Sequence, residues 1–124
     1  MTETDIKQDF EAALIKHLGF KTRLRSFLYG NATAEAPLRD PDQCLLGVWL
    51  HERRQGAYAT LPLLIDLDRE HRRIHAEANK LMDLRLAGHP DAAQAGFAAV
   101  QELANHITTL FDGLRIQAQA HYQQ

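Results

Sequence analysis

Three long stretches of this chain place their apolar residues at three-and-four spacing, and no stretch alternates apolar with polar residues for long enough to make a strand. That pattern limits the chain to helices packed along their apolar stripes, so the fold reads as all-α. The first stripe, Phe10, Ala13, Leu14, His17, Phe20, Leu24, Phe27 and Leu28, predicts a helix from about Asp5 to Tyr29, ended by Gly30 and Asn31. From Asn31 to Asp42 the chain carries Pro37 and Pro41 and reads as a loop crossing the end of a bundle. Asp40 followed by Pro41 offers an N-cap and a first helical position, which predicts a short helix through about Glu52 with Cys44 in its opening turn. Gly56 then allows a turn.

A third helix is expected from about Tyr58 to Leu86, with Leu61, Leu64, Asp68, His71, His75, Ala78 and Met82 on one stripe. Pro62 fits only its first turn, which moves the start to near Leu61. After the break Ala87-Gly88-His89-Pro90, a fourth helix should reach about Ala120 on a face of Ala93, Phe97, Val100, Leu103, Ile107, Leu110 and Leu114. The expected architecture is one domain over residues 1–124, a four-helix-bundle-like antiparallel arrangement of three long helices plus a short one carrying the cysteine.

Composition narrows the function classes. With 14 basic against 16 acidic residues, the chain has neither the basic face nucleic acid requires nor an acidic tail. No run approaches the roughly 18 apolar residues of a membrane span, and the opening residues lack the regions of a secretory signal, so no membrane contact and a cytoplasmic location are expected. A single cysteine makes no internal disulfide. Cys44 is therefore buried filler, a reactive thiol, an intermolecular link or a metal ligand, and seven histidines in so short a chain favour the last.

The polar residues inside the stripes carry the chemistry. His71 and His75, four apart, project from one helical face and can hold one ion between them. Both stand where leucine or isoleucine would be expected, and burying them is costly unless something satisfies their nitrogens. His17 occupies the same kind of position on the first helix, seven residues after Phe10 and seven before Leu24. Alone, His17 reads as a core histidine bonded to a carbonyl and Cys44 as an inert buried thiol. Together with the pair they make the donor number and softness of a closed tetrahedral zinc site. Asp68, one turn before His71, is either a second-shell acceptor for a ligand's ring proton or a solvated residue on a slightly rotated helix. His51, His89, His106 and His121 lie off the stripes or near ends and read as surface residues.

Cys44, Leu46, Gly47 and Trp49 spell C-x-L-G-x-W, and with His17 upstream and H-x-x-x-H at His71 and His75 downstream the chain resembles the chemoreceptor zinc-binding (CZB) family. The resemblance spans the first helix to the end of the third. It implies Zn2+ held by His17, Cys44, His71 and His75, with Phe20 as the aromatic that follows the first histidine. It also implies a homodimer, attached in relatives to bacterial chemoreceptors or diguanylate cyclases, in which zinc occupancy or oxidation of the zinc-bound cysteine changes output. This chain departs from those larger proteins in containing no cyclase domain and no long signalling coiled coil.

The expected activity is sensing rather than catalysis. Four protein ligands leave no open position on the ion, and His71-Arg72-Arg73-Ile74-His75 lacks the glutamate that follows the first histidine of zinc proteases. Two signals are conceivable, a change in free zinc or attack on the Cys44 thiolate by an oxidant such as hypochlorous acid. A hemerythrin-like di-iron bundle is a rival, but it needs carboxylates where this chain has Gln55 four after His51 and Phe111 five after His106. A purely structural zinc module for dimerisation is the third reading.

Overall fold

Thr2 starts the first helix, α1 (Glu3–Leu28), with a capping box: its hydroxyl accepts from the Asp5 amide at 3.1 Å while the Asp5 carboxylate accepts from the Thr2 amide at 3.0 Å. The helix ends where Gly30 takes φ +93°, letting the Asn31 amide reach back to the Ser26 carbonyl at 2.9 Å. The computed structural model describes residues 2–122 apart from Ala32 and Ala57. Five more helices follow: α2 (Ala36–Arg39), α3 (Leu45–Arg54), α4 (Pro62–Leu86), α5 (Pro90–Ala95) and α6 (Phe97–Tyr122). Among the described residues there is no strand, and no helix is long and apolar enough to cross a membrane.

Pairings along the helices fix their directions. Phe10 packs on Phe111 with ring centroids 4.9 Å apart, while the Leu28 carbonyl at the far end of α1 accepts from Gln94 on α5, just ahead of the start of α6, so α1 and α6 are antiparallel. His17 meets His71 and Phe20 meets His75, so α1 and α4 run the same way. The short α3 descends between them, its first residues near Phe20 and Arg53, near its end, bonded to Asp9. The result is an up-down-up-down helical bundle with α3 as the short second member. Its lower half is an aromatic cluster of Phe10, Trp49, Tyr58 and Phe111. Asp9 is clamped there by the indole of Trp49 (3.1 Å), the hydroxyl of Tyr58 (2.8 Å) and the guanidinium of Arg53.

Several local expectations need correction. The segment read as loop contains α2, which docks on α4 through Arg39 to Asn79 (3.1 Å) and Asp83 (2.9 Å). Asp40 and Pro41 do not begin a helix; Asp40 organises a turn, its side chain accepting from the Asp42 amide and its carbonyl from the Gln43 amide. Cys44 is the N-cap of α3 rather than part of its first turn. The last helical region is divided at Gly96, where a Cβ would sit 2.3 Å from Leu81 Cδ2, so the glycine lets this corner pack closely on α4. Leu14, placed in the core stripe, is exposed. Pro62 opens α4 at its first position, as the ring requires.

Candidate metal centre

His17 rises from α1, Cys44 caps α3, and His71 and His75 project from consecutive turns of α4. Their donor atoms all lie within 4.8 Å of one another. Cys44, His71 and His75 are buried at 5%, 1% and 1% exposure, and His17 is half-buried. Tetrahedral zinc with bonds of about 2.0–2.3 Å needs donors roughly 3.3–3.6 Å apart, within reach of small side-chain rotations. Nε2 of His71 and Nε2 of His75 already approach to 3.1 Å.

The C-x-L-G-x-W residues explain how the cysteine arrives. Leu46 and Trp49 face the core, the latter anchored to Asp9, and fix the roll of α3. Gly47 is the point of closest approach: a Cβ there would lie 1.7 Å from the Pro41 carbonyl oxygen and 3.2 Å from His71 Cε1. Only glycine lets the turn before Cys44 fold across α3 and press the sulfur toward the histidines. Arg72 adds a tie, bonding Asp42 in that turn at 3.1 Å.

Tautomers follow from the partners. Nδ1 of His75 lies 2.7 Å from the Leu38 carbonyl oxygen, which can only accept, so Nδ1 carries the proton and Nε2 presents its lone pair inward. Nε2 of His17 and Nδ1 of His71 are buried without a hydrogen-bond partner. An orphaned buried nitrogen costs about 1–3 kcal/mol, a cost that His17 Nε2 would shed by giving its lone pair to a cation. Phe20 walls the cluster, stacked on the His17 ring at 5.1 Å and 13° and edge-on to His75 at 4.8 Å.

Burial first, and the neighbouring His75 next, push His17 down to about 4; burial, with His75 and His17 beside it, pushes His71 down to about 2. His75 is lowered as well, by burial that its bond to Leu38 only partly offsets. All three imidazoles are thus neutral at pH 7, the form that ligates. Burial raises the Cys44 thiol, against the opposing pull of the Gly47 and Leu46 amides and of Arg23, although the sulfur accepts no cap hydrogen bond. A soft thiolate and three neutral imidazoles suit zinc, and no carboxylate belongs to the cluster, which leaves the di-iron reading without its ligands.

Asp68 does not serve the histidines. Its carboxylate takes Arg54 at 3.0 Å and Arg72 at 3.4 Å at the rim of α4, and the backbone of Leu38 supplies the partner of His75 instead. His51, His89, His106 and His121 are exposed, as their positions off the stripes suggest. Sequence reasoning missed the Leu38 carbonyl, which has no side-chain signature. It also missed Asp9, whose only signal was a carboxylate flanking the first apolar stripe.

An all-α bundle gathering one cysteine and three histidines in its interior defines a metal-binding helical domain. The chemoreceptor zinc-binding domain family matches residues 17–82, more than half of the chain and every member of the cluster, and the chain belongs to that family. It is accordingly a zinc-binding domain with Zn2+ as cofactor. Comparison with curated proteins and with solved structures gives no match.

Proposed function

We propose that this chain is a zinc-dependent sensory module in which His17, Cys44, His71 and His75 are the four zinc ligands. The observation that carries this is the convergence of their donor atoms to within 4.8 Å from α1, α3 and α4. Bound zinc supplies a cross-link between these helices and favours the thiolate of Cys44 over the thiol. The four donors fill a tetrahedral shell, which argues for a regulatory rather than a catalytic ion. The unit is read as one domain acting in the cytoplasm as a homodimer, coupled to a chemoreceptor or a diguanylate cyclase.

The signal is either zinc occupancy or oxidation of Cys44. In the redox route the Cys44 thiolate attacks the chlorine of hypochlorous acid; the S–Cl bond forms, the O–Cl bond breaks and hydroxide leaves. Water then displaces chloride from sulfur, and the released proton neutralises the hydroxide. The net change converts thiolate and hypochlorous acid to sulfenic acid and chloride, with sulfur oxidised and chlorine reduced by two electrons. A sulfenic acid ligates poorly, so the Cys44 end of α3 loses its metal tie to α1 and α4, while Asp9 and Asp68 still hold the far end through Trp49, Arg53 and Arg54. The Cys44 end of α3, with its preceding turn, is the segment expected to move.

Elemental analysis of the purified chain and of alanine variants at the four positions tests the ligand set, with one zinc per chain expected and loss of zinc in each variant. Undiminished zinc in all four variants would refute it. A Cys44→Ser variant should keep weak zinc binding and lose the oxidant response; an unchanged response would end the redox route and leave zinc level as the signal. Solution mass with and without chelator separates sensing from a purely structural role in dimerisation.

A further inference from the structure

Cys44 is buried, yet it forms the floor of a surface pocket of ≈ 210 Å³ between α1, α2 and α3. Phe20 and Leu38 make its apolar walls, and both are held by the histidine cluster: Phe20 against His17 and His75, Leu38 through its carbonyl to His75. Arg23 is the sole ionic residue among those lining it. Its guanidinium lies against Gly19, where a Cβ would stand only 2.5 Å from Nη2, so the glycine leaves the notch in which this arginine folds back along α1 beside the pocket. Among the described residues no carboxylate pairs with Arg23, whereas Arg39, Arg53, Arg54, Arg69, Arg72 and Arg73 each have an acidic partner. The positive charge of Arg23 also acts on Cys44 and on His17.

An unneutralised cation over a pocket that ends on a thiolate has a direct electrostatic consequence. The bound zinc would already offset the charge of its thiolate, and the fixed positive charge of Arg23 at the entry shifts the local potential further in favour of an approaching anion. We propose that this pocket is the portal to the Cys44 sulfur and that Arg23 makes it selective for small monoanionic electrophiles over neutral molecules of the same size. The inference rests on the reading of Cys44 as the reactive group and adds the residue that determines which reagents reach it.

Iodoacetate and iodoacetamide are nearly equal in size and differ in charge, and each alkylates by the same step: sulfur attacks the methylene carbon, the S–C bond forms and iodide leaves. The chain has one cysteine, so adduct mass reports Cys44 alone. With the zinc-loaded chain, the ratio of iodoacetate rate to iodoacetamide rate should fall about tenfold in Arg23→Gln, the low end of electrostatic steering effects. Arg23→Lys should keep most of it. Gly19→Ala, which leaves the charge in place but displaces the guanidinium from its notch, should lower the ratio too; this second variant decides the matter if Arg23→Gln loses zinc. An unchanged ratio in both variants, or equal falls in the two rates, overturns the portal. Hypochlorite separates this failure from that of the redox reading. A wild-type sulfur inert to hypochlorite but with an Arg23-dependent ratio sinks the redox route and keeps the portal; equal hypochlorite oxidation of wild type and variants with an unchanged ratio does the reverse.

Discussion

Nδ1 of His75 donates to the carbonyl of Leu38 across 2.7 Å, so a four-residue helix in the long α1–α3 connection sets the tautomer of a histidine on α4. That helix is held by reciprocal bonds between Arg39 and Asn79, the Asn79 amide donating to the Arg39 carbonyl at 2.8 Å and accepting from its guanidinium at 3.1 Å. Second-shell partners of this kind govern ligand orientation and basicity.

Asn79→Ala removes both bonds without touching a donor atom. Zinc affinity, measured by competition with a chromophoric chelator, should fall about tenfold, the lower end of outer-shell effects, while helix content by circular dichroism stays unchanged. An unaltered affinity would mean that α2 is not needed to orient His75.

Zinc binding near pH 7 should release about one proton, and it should come from Cys44. The histidines, with His17 at about 4 and His71 at about 2, are already neutral in the folded protein, whereas burial keeps the thiol protonated until metal arrives. Calorimetry in buffers of different ionisation enthalpy counts the protons.

The same shifts give the metal-free protein an acid-sensitive stability. Because the folded state binds fewer protons than the unfolded one, the contribution is fully present above the unfolded value of 6.5. It declines as pH falls below that, at up to about 1.4 kcal/mol per pH unit for each histidine, until about 4 for His17 and about 2 for His71. Urea midpoints of chelator-treated protein between pH 7 and 5 should drop accordingly, and a flat profile would contradict the buried neutral cluster.

Gly47→Ala drives a methyl into the Pro41 carbonyl, 1.7 Å from its ideal position. A backbone cannot yield as a flexible side chain does, so the turn before Cys44 must shift, at a cost of about 1–3 kcal/mol. Both thermal stability and zinc affinity should fall. Loss of one without the other would show that the close approach does not position the sulfur.

Asp9→Asn tests the fold apart from the metal. Burial would raise the Asp9 carboxyl, but the bonds from Arg53, Trp49 and Tyr58 together bring it below its ordinary value. Its stabilisation is therefore present above the unfolded value of 3.8 and lost as pH falls through the lower folded value. The substitution should destabilise by about 1.5–3 kcal/mol while zinc stoichiometry holds.

Much of this was legible locally. The periodicity of α1, α4 and α6 follows from the 3.6-residue turn, which forces a buried face to recur at three and four. His17, His71 and His75 announced themselves as polar residues in those faces, and glycine with proline marked the ends of α1 and the start of α4. What failed was whatever depends on a partner distant in sequence. Asp68 lies three before His71, but its rotation about the α4 axis carries it to the rim, where Arg54 claims it. Gly96 is needed where Leu81 occupies the space a side chain there would take, a contact 15 residues away along the chain.

The amino-acid order by itself determined the long helices and which polar side chains their faces would bury, since both depend on neighbours within a turn or two. Only the packed bundle decided that a backbone carbonyl rather than Asp68 holds His75, that Pro41 crosses Gly47, and that Arg23 and Cys44 line one pocket. Those contacts join residues with no local relationship, and hydrophobic burial of the stripes brings them together without their own side chains encoding it.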